Sequence, residues 1–301
     1  KKKFGKNRRR YLSKFILEFV GLFFILLIFY TVYFSLNASN TNVSQTSEFK
    51  AAIVDHLSLT QPNQTFVQTA KSILEKAGFS VDYYKGEEVT VEFYRNLPTH
   101  GYKIIVLRVH STSALSSGTE YVETSVSLFT SEPVSKTKYI YDQLTDRLVK
   151  VFYLPYSEGD PSYFGITDGF VRESMNGRFD NAIIILMGCD GLTNAEMAKA
   201  FLDRGAKAYI GWNGPVLASH TDDSTTRLLQ RLLFEKQTID QALMETFLEV
   251  GADPFYKSLF LYYPLEAGDV TIQSIAGNFI TNVTEVRTQN VFSKIERYRI
   301  Q

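Results

Sequence analysis

The sequence predicts an α/β fold, a three-layer α-β-α sandwich built around a mainly parallel sheet. From residue 50 onward, short apolar runs of strand length alternate with longer amphipathic runs of helix length. The strand candidates are apolar at almost every position, as in strands whose two faces are both covered by helices. About 265 of the 301 residues follow an N-terminal apolar segment, enough to bury one large core or two small ones.

The elements follow from these two patterns, taken in chain order. Strands are predicted where apolar residues run together, at 50–57, 80–84, 102–109, 181–188, 206–212 and 259–263. Helices are predicted where amphipathic stretches lie between them, at 65–77, 91–97, 193–203, 225–234 and 239–250. Thr193 is the expected N-cap of the third helix, and Gly205 its expected C-terminal stop.

Two regions depart from the alternation. Residues 111–178 contain a period-2 stretch at 121–129, which predicts a hairpin strand, and a stretch near 139–149 that predicts a helix. Beyond residue 265, apolar and polar residues alternate, which predicts appended strands. The chain therefore divides into a basic tail, a membrane helix, a linker, an α/β domain and C-terminal strands. The predicted boundaries are 1–14, 15–36, 37–48, 49–270 and 271–301.

Residues 15–36 are predicted to cross a membrane as a helix. Glu18 is their only charged residue, and about twenty helical residues span the hydrocarbon core. Eight of the first fourteen residues are basic and none is acidic, so the N-terminus is expected in the cytoplasm and the main domain outside the cell. A cleaved signal peptide is the alternative, but its apolar region is usually about 7–15 residues long.

The composition excludes several classes of partner. Basic and acidic residues number 32 each, so without the eight basic residues of the tail the remainder is acidic, which argues against a nucleic-acid-binding domain. Neither GxGxxG nor GxxxxGK[ST] occurs, so neither a nucleotide nor another cofactor is expected. Asn-x-Ser/Thr sequons, with chance occurrence as the alternative, mark candidate glycosylation sites at Asn37, Asn42, Asn63 and Asn282.

His110 and the single cysteine, Cys189, each follow directly on an apolar predicted strand. If those strands are parallel neighbours, both side chains reach the same edge of the sheet, where a histidine can act as the base for a thiol. Backbone N–H groups in the turns can stabilise an oxyanion, and a helix starting near Thr193 would lower the thiol pKa. The alternative is a small buried cysteine and a hydrogen-bonded surface histidine.

This arrangement resembles the caspase-like clan of cysteine peptidases, which includes caspases, legumains, gingipains, clostripain, separase and CHAT domains. The clan places a histidine after one apolar strand and a cysteine after a later one, as His110 and Cys189 stand here. LMGCDGL at 186–192 resembles the Gly-Cys motif of separase, and 194–216 resembles a CHAT segment that ends near Trp-Pro-Val. The resemblance spans roughly 50–270 and is specific only around 104–112 and 183–230.

The resemblance implies a caspase-like domain with flavodoxin-like strand order, and a peptidase mechanism. Cys189 would attack the scissile carbonyl, His110 would protonate the leaving amine, and the N–H groups of Ser111 and Cys189 would stabilise the oxyanion. Two positions depart from the clan. Ser111 replaces the glycine that usually follows the histidine, and Met187 stands where metacaspases carry a pocket aspartate, so a preference for Arg or Lys does not carry over.

Asp190, Trp212 and Asn213 are the candidate pocket residues, with a core position as the alternative for Trp212. Asp222 and Asp223 are further pocket acids, although a turn residue at 190 and helix-start acids at 222 and 223 explain the same pattern.

The remaining histidines are weaker site candidates. His56 is either a neighbour of the site or a structural loop residue, and His100 is expected on the surface. His220 lies close in sequence to two aspartates, but the spacing fits no metal motif, so no metal site is expected.

The sequence thus predicts a cysteine endopeptidase, held in the cell membrane by a single span, whose outer domain acts on peptide or protein substrates. The rival hypothesis is a catalytically silent caspase-like module that serves binding or scaffolding at the cell surface. The missing glycine after His110 favours the silent module, whereas the retention of both His110 and Cys189 favours the enzyme.

Overall fold

A computed structural model describes residues 49–113, 126–153, 155 and 157–276. Two sheets are formed from strands β1 (Phe49–Asp55), β2 (Phe79–Lys85), β3 (Tyr102–Arg108), β4 (Ser111–Ser113), β5 (Val126–Pro133), β6 (Leu148–Val151), β7 (Tyr163–Ile166), β8 (Ile183–Leu186), β9 (Ala208–Trp212) and β10 (Phe260–Tyr263). The helices are α1 (Gln64–Lys76), α2 (Val91–Asn96), α3 (Ile140–Leu144), α4 (Asp168–Glu173), α5 (Glu196–Asp203), α6 (Ala218–Leu233), α7 (Ile239–Val250) and α8 (Ile272–Ala276).

The central sheet has the order β10-β9-β8-β3-β1-β2. All neighbouring strands are parallel except β10, which pairs antiparallel with β9 at one edge. Strand β3 pairs on one side with β1 and on the other with β8, where Leu107 lies opposite Leu186. The predicted α/β class, with a mainly parallel sheet and β3 beside β8, is therefore confirmed.

Helices cover both faces of this sheet, which explains why its strands are apolar throughout. Ile104 and Val106 point into a core shared with α1, α6 and α7. Ile105 and Leu107 point to the opposite face, into a core shared with α2, α4 and α5. All four side chains are fully buried. Because side chains alternate along a strand, a strand covered on both faces needs an apolar residue at nearly every position.

The region between β3 and β8 in the chain forms a second, antiparallel sheet with the order β4-β5-β7-β6. The hairpin strand predicted at 121–129 corresponds to β5, and residues 121–125 lie outside the described part of the chain. The helix predicted near 139–149 is wrong at its end, because α3 stops at Leu144 and β6 begins at Leu148. Leu148 is buried opposite Ile166 of β7, so tertiary pairing overrides the local pattern.

Two predicted helix starts also differ from the structure. Helix α5 begins at Glu196, and Thr193 does not cap it, because its hydroxyl donates to Asp190 and to the Asn213 carbonyl. Helix α6 begins at Ala218 rather than at 225. Its first turns carry Thr221 and Asp222, polar residues that are buried against partners on the sheet. A hydropathy pattern reads such residues as solvent-exposed and so delays the helix.

The strand predicted from residue 271 is replaced by the short helix α8. The Ser274 backbone N–H donates to the Thr271 hydroxyl, and the Thr271 N–H donates to the Ser274 hydroxyl, which favours a helical turn. Residues 277–301 lie outside the described residues, as do the predicted tail, membrane helix and linker at 1–48. Within the described ranges, no helix combines the length and apolarity needed to cross a membrane.

The ends of β3 and β8 come into contact beyond the ladder, and this closeness generates a test. A Cβ added at Gly188 would lie 2.2 Å from Ser111 Oγ and 2.4 Å from the Val109 carbonyl oxygen. Gly188→Ala is therefore expected to lower the free energy of unfolding by about 1–3 kcal/mol, because a backbone must move to accommodate the methyl group.

Gly169→Ala, on helix α4, is the matched control. A Cβ added there would lie at ordinary contact distances, 3.4 Å from Thr167 Oγ1 and 3.6 Å from Arg147 Cγ. Better helix propensity is expected to raise stability by about 0.5–1 kcal/mol. Urea denaturation of both variants measures the difference, and equal stability for the two would contradict the close approach at Gly188.

Candidate active site

His110 and Cys189 lie at the same edge of the sheet, beyond the carboxyl ends of the adjacent parallel strands β3 and β8. The Met187 N–H donates to the Leu107 carbonyl at 2.9 Å as the ladder ends. Past that point, the Ser111 hydroxyl donates to the Cys189 carbonyl oxygen at 2.5 Å. The Ser111 side chain thus joins the segment that carries His110 to the backbone of Cys189.

Asp190 forms the turn that follows Cys189. Its backbone is left-handed, with φ of 61°, and its N–H donates to the Gly214 carbonyl. Its carboxylate accepts from the backbone N–H of Ser113 at 3.2 Å and from the Ser113 hydroxyl at 3.3 Å. Asp190 therefore acts as the turn residue that ties the end of β8 to β4, which is one of the two roles that its sequence position allowed.

The thiol of Cys189 faces the loop after β9. Its sulfur accepts from the Val216 N–H at 3.5 Å and donates to the Val216 carbonyl at 3.8 Å, and it makes no hydrogen bond with His110, whose ring is among the described residues. Burial raises the pKa of Cys189. The hydrogen bond from the Val216 N–H lowers this pKa in part, and the negative charges of Asp190 and Asp253 raise it further. The expected lowering of this pKa is wrong for the resting structure.

Asp253, a residue that sequence analysis missed, organises the loop that holds the sulfur. Its fully buried carboxylate accepts from the backbone N–H groups of Leu217 at 2.8 Å, Phe255 at 2.9 Å and Tyr256 at 2.7 Å. Leu217 directly follows Val216, so the carboxylate fixes the backbone beside the thiol. A buried carboxylate needs several such donors; Phe255 and Tyr256 are local in sequence, whereas the fold brings Leu217 to the other oxygen.

His110 is held by its ring nitrogen and by a box of aromatic rings. Its Nε2 lies 2.8 Å from the Thr60 hydroxyl, which leaves Nδ1 as the nitrogen that could exchange a proton with a thiol. The rings of His56, Phe129 and Tyr153 surround it at centroid distances of 5.9, 5.7 and 5.2 Å. Burial, with a further contribution from the Arg108 charge, lowers the pKa of His110 to about 4.

His56 is the neighbour of the site that the sequence left undecided. It is fully buried at the end of β1, where its Nε2 lies 3.1 Å from the Tyr153 hydroxyl and its ring stacks on Tyr153. Its Nδ1 lacks a hydrogen-bond partner of good geometry among the described residues. Burial lowers the pKa of His56 to about 4, and the repulsion that a protonated His110 would exert acts in the same direction. Both histidines are therefore neutral at pH 7.

The backbone N–H of Ser111 is not used in the pairing of β4 with β5, so this pairing leaves it able to donate to an oxyanion. Ser111 lies opposite Leu128, and the Phe129 N–H donates to the His110 carbonyl at 2.9 Å. That bond makes the Ser111 and Leu128 positions a pair without mutual hydrogen bonds, so β5 does not use the Ser111 N–H. The serine that replaces the clan's glycine therefore keeps the donor, while its hydroxyl is committed to Cys189.

The other predicted pocket residues, Trp212 and Asn213, lie at the end of β9. Trp212 is only 1 % exposed, stacks on Phe260 at 4.8 Å and donates to the Thr221 hydroxyl at 2.9 Å, so it packs in the core. Asn213 is exposed, but its backbone N–H and its side-chain oxygen both pair with the backbone of Leu259. The contacts with Phe260 and Leu259 join the end of β9 to β10.

A buried ionic cluster of Asp55, Arg108 and Asp222 lies beside the site, and sequence analysis did not find it. The three side chains are at most 5 % exposed. Arg108 donates to Asp55 Oδ1 at 2.7 Å and to the two oxygens of Asp222 at 2.7 and 2.9 Å. The available signal was that Asp55 and Arg108, of opposite charge, each end an apolar strand. Buried charges occur almost only in pairs, so two such residues indicate an ion pair.

The other candidate residues are scattered. Asp223 and His100 are exposed, and the ring of His220 packs against Trp212. The described residues contain no group of three or more His, Cys, Asp or Glu side chains placed to hold a metal ion.

Asn63 caps helix α1 and donates from its amide nitrogen, the atom that a glycan would modify, to Asp222 at 2.9 Å. The sequons at Asn37, Asn42 and Asn282 lie outside the described residues.

Comparison of the sequence with known proteins gives no relative. No protein-family model matches the chain, and no curated protein matches it. The function therefore has to be inferred from the geometry of the His110 and Cys189 edge.

The buried histidines predict a loss of stability in mild acid. A histidine with a pKa near 4 when folded and 6.5 when unfolded binds more protons in the unfolded chain, so the free energy of unfolding falls as pH drops from 6.5 towards 4. His56 alone is expected to contribute a loss of about 2 kcal/mol between pH 7 and pH 5.

Urea denaturation at the two pH values measures this loss. His56→Phe should reduce it by about the same 2 kcal/mol, and His100→Gln, at an exposed position, is the control. An equal loss in wild type and His56→Phe would show that His56 is not held neutral by the fold.

Proposed function

We propose that the chain is a cysteine peptidase of the caspase-like clan, with Cys189 as the nucleophile and His110 as the acid and base. One observation carries the proposal: β3 and β8 are adjacent and parallel, and the backbones that follow them are joined by the bond from Ser111 to Cys189. The order β2-β1-β3-β8-β9, which is that of flavodoxin-like sheets, and the helices on both faces agree with a three-layer caspase-like domain.

The protonation states define how such a dyad would work. The pKa of Cys189 is raised and that of His110 is lowered, so the resting pair is a neutral thiol and a neutral imidazole. The Nδ1 of His110 takes the thiol proton as the sulfur attacks the scissile carbonyl carbon and forms the C–S bond. The N–H groups of Ser111 and Cys189 then stabilise the oxyanion.

Collapse of this intermediate breaks the C–N bond, and the imidazolium gives its proton to the leaving amine. The thioester that remains is attacked by water, from which His110 again removes a proton. Breakage of the C–S bond then releases the carboxylic acid, and the proton returns to the sulfur. Before the first step the sulfur has to leave the Val216 N–H, and rotation about the Cα–Cβ bond of Cys189 is the motion that turns it away.

A catalytically silent caspase-like module is the second candidate function. The sulfur is bound to Val216, its pKa is raised, and the Nε2 of His110 is occupied by Thr60. A binding module tolerates such a resting arrangement without any later rearrangement, whereas an enzyme has to rearrange in each cycle. The two functions therefore differ in whether substrate brings the thiol and imidazole together.

The placement of the domain is also a proposal. The apolar stretch at 15–36 would anchor the chain in the cell membrane, and the basic tail would hold the N-terminus in the cytoplasm. The α/β domain would then meet peptide or protein substrates outside the cell.

Peptide hydrolysis tests the proposed dyad. A library of fluorogenic tetrapeptides identifies a substrate, on which Cys189→Ala is expected to abolish turnover and His110→Ala to lower kcat by about 10²–10⁴-fold. His100→Ala, at an exposed position, is the control and should keep wild-type kcat. Hydrolysis that survives Cys189→Ala would contradict the mechanism, and a folded wild-type protein that cleaves nothing would favour the silent module.

Thiol labelling of intact cells tests the orientation. In the Cys189→Ala background, Leu248→Cys places one thiol on helix α7, where the leucine is 76 % exposed. A membrane-impermeant maleimide should label this variant from outside, and should label Lys6→Cys only after permeabilisation. The reverse pattern would show that the orientation is wrong.

A further inference from the structure

The Asp55, Arg108 and Asp222 cluster is saturated with hydrogen bonds on its carboxylate side. Asp55 Oδ1 accepts from Arg108, and Asp55 Oδ2 accepts from the Tyr83 hydroxyl at 3.0 Å. Both oxygens of Asp222 accept from Arg108, and Oδ2 also accepts from the Asn63 amide. Every carboxylate oxygen thus has a partner, so the cluster has one low-energy arrangement.

One donor of the guanidinium leaves the cluster and reaches the loop above it. The Nη2 of Arg108 donates to the Gln61 carbonyl oxygen at 2.9 Å. Asn63, two residues later, is held by Asp222, and the Gln61 N–H donates back to Leu57 at 2.7 Å. The loop between β1 and α1 is therefore attached to the ionic cluster at two points, the Gln61 carbonyl and the Asn63 amide.

Thr60 lies in this loop, directly before Gln61, and its hydroxyl contacts the Nε2 of His110. Arg108 also stands two residues before His110 on the same chain segment. The guanidinium consequently sets both sides of this contact, the strand end that carries the imidazole and the loop that carries its hydroxyl partner.

We propose that Arg108 is a positioning residue for His110: its fork binds Asp222 and Gln61 together, fixes Thr60, and so holds the imidazole in one orientation through the hydrogen bond at Nε2. The catalytic part of this proposal rests on the proposed peptidase function, whereas the positioning part does not. Arginine is required because a lysine ammonium cannot present a planar fork to a carboxylate and a carbonyl at once.

The test observes the imidazole itself. The full chain is labelled with ring-¹⁵N histidine and studied in detergent micelles. The chain has four histidines, and the signals of His110 are the ones that disappear in His110→Gln. Wild type should show the ¹⁵N shift of an Nε2 that is hydrogen-bonded to a hydroxyl. Thr60→Val, which removes the hydroxyl, should displace this Nε2 signal, and Thr60→Ser should restore the wild-type spectrum.

Arg108→Lys is the decisive variant and should displace the Nε2 signal of His110 as Thr60→Val does. Arg172→Lys is its matched control, because Arg172 also binds carboxylates on Asp168 and Glu196 but lies on α4, away from His110. That control should keep the wild-type ring spectrum. A folded Arg108→Lys protein with the wild-type spectrum, or a Thr60→Val protein with that spectrum, would overturn the proposal.

A second variant keeps the test decisive if Arg108→Lys does not fold. The combined Asp55→Asn, Arg108→Met and Asp222→Asn variant removes all three charges of the cluster, so that none of them is left buried without its partner. Each asparagine still accepts from Tyr83 or Asn63, so Gln61 is the loop group that loses its donor. The same two outcomes, a displaced Nε2 signal or the wild-type spectrum, then support or overturn the proposal.

Kinetics separate this positioning role from the proposed function. If the chain is a peptidase, Arg108→Lys should lower kcat by roughly 10- to 100-fold at unchanged KM, as expected for a displaced base. If the chain hydrolyses no peptide, the ring spectra still decide whether Arg108 positions His110.

Discussion

The pairing of Arg108 with Asp55 and Asp222 is the interaction on which the arrangement of the site depends. It joins the ends of β1 and β3 to the first turns of α6, and it lies directly beneath the loop that contacts His110. Removing three charges from water costs several kcal/mol per ion, so such a cluster is a poor source of net stability. Its effect is geometric, because a saturated network in a dry interior allows one arrangement of the three elements and excludes their small displacements.

Burial also sets the chemical state of the proposed dyad. The aromatic rings around His110 partly bury it and so favour the neutral imidazole, and burial likewise favours the neutral thiol of Cys189. The acidic neighbours Asp190 and Asp253 act in the same direction on the thiol. In the proposed peptidase the neutral thiol is a weak nucleophile at rest, and a bound substrate would have to align the sulfur with the imidazole nitrogen. The silent-module hypothesis corresponds to the same site without that alignment.

Sequence reasoning predicted the features that depend on local periodicity. The apolar runs at 102–109 and 181–188 predicted two strands, and the alternation of strands with helices predicted a parallel sheet. The structure pairs these strands as β3 and β8, which brings His110 and Cys189 to one edge. The resting direction of the thiol could not be predicted, because Val216 reaches it through a loop fixed by Asp253 far along the chain. The start of α6 was missed for the same reason: Asp222 is polar, yet its partner Arg108 buries it.

The central claim, a nucleophilic Cys189 served by His110, is tested most directly by a covalent probe. A peptidyl acyloxymethyl ketone reacts with a cysteine peptidase only when the thiol, its base and the oxyanion donors act together. Intact-mass spectrometry of the full chain should show a single adduct on Cys189, which denaturation before labelling abolishes and His110→Ala suppresses by at least about tenfold. Adduct formation that is absent, or that proceeds equally in wild type and His110→Ala, would contradict the account.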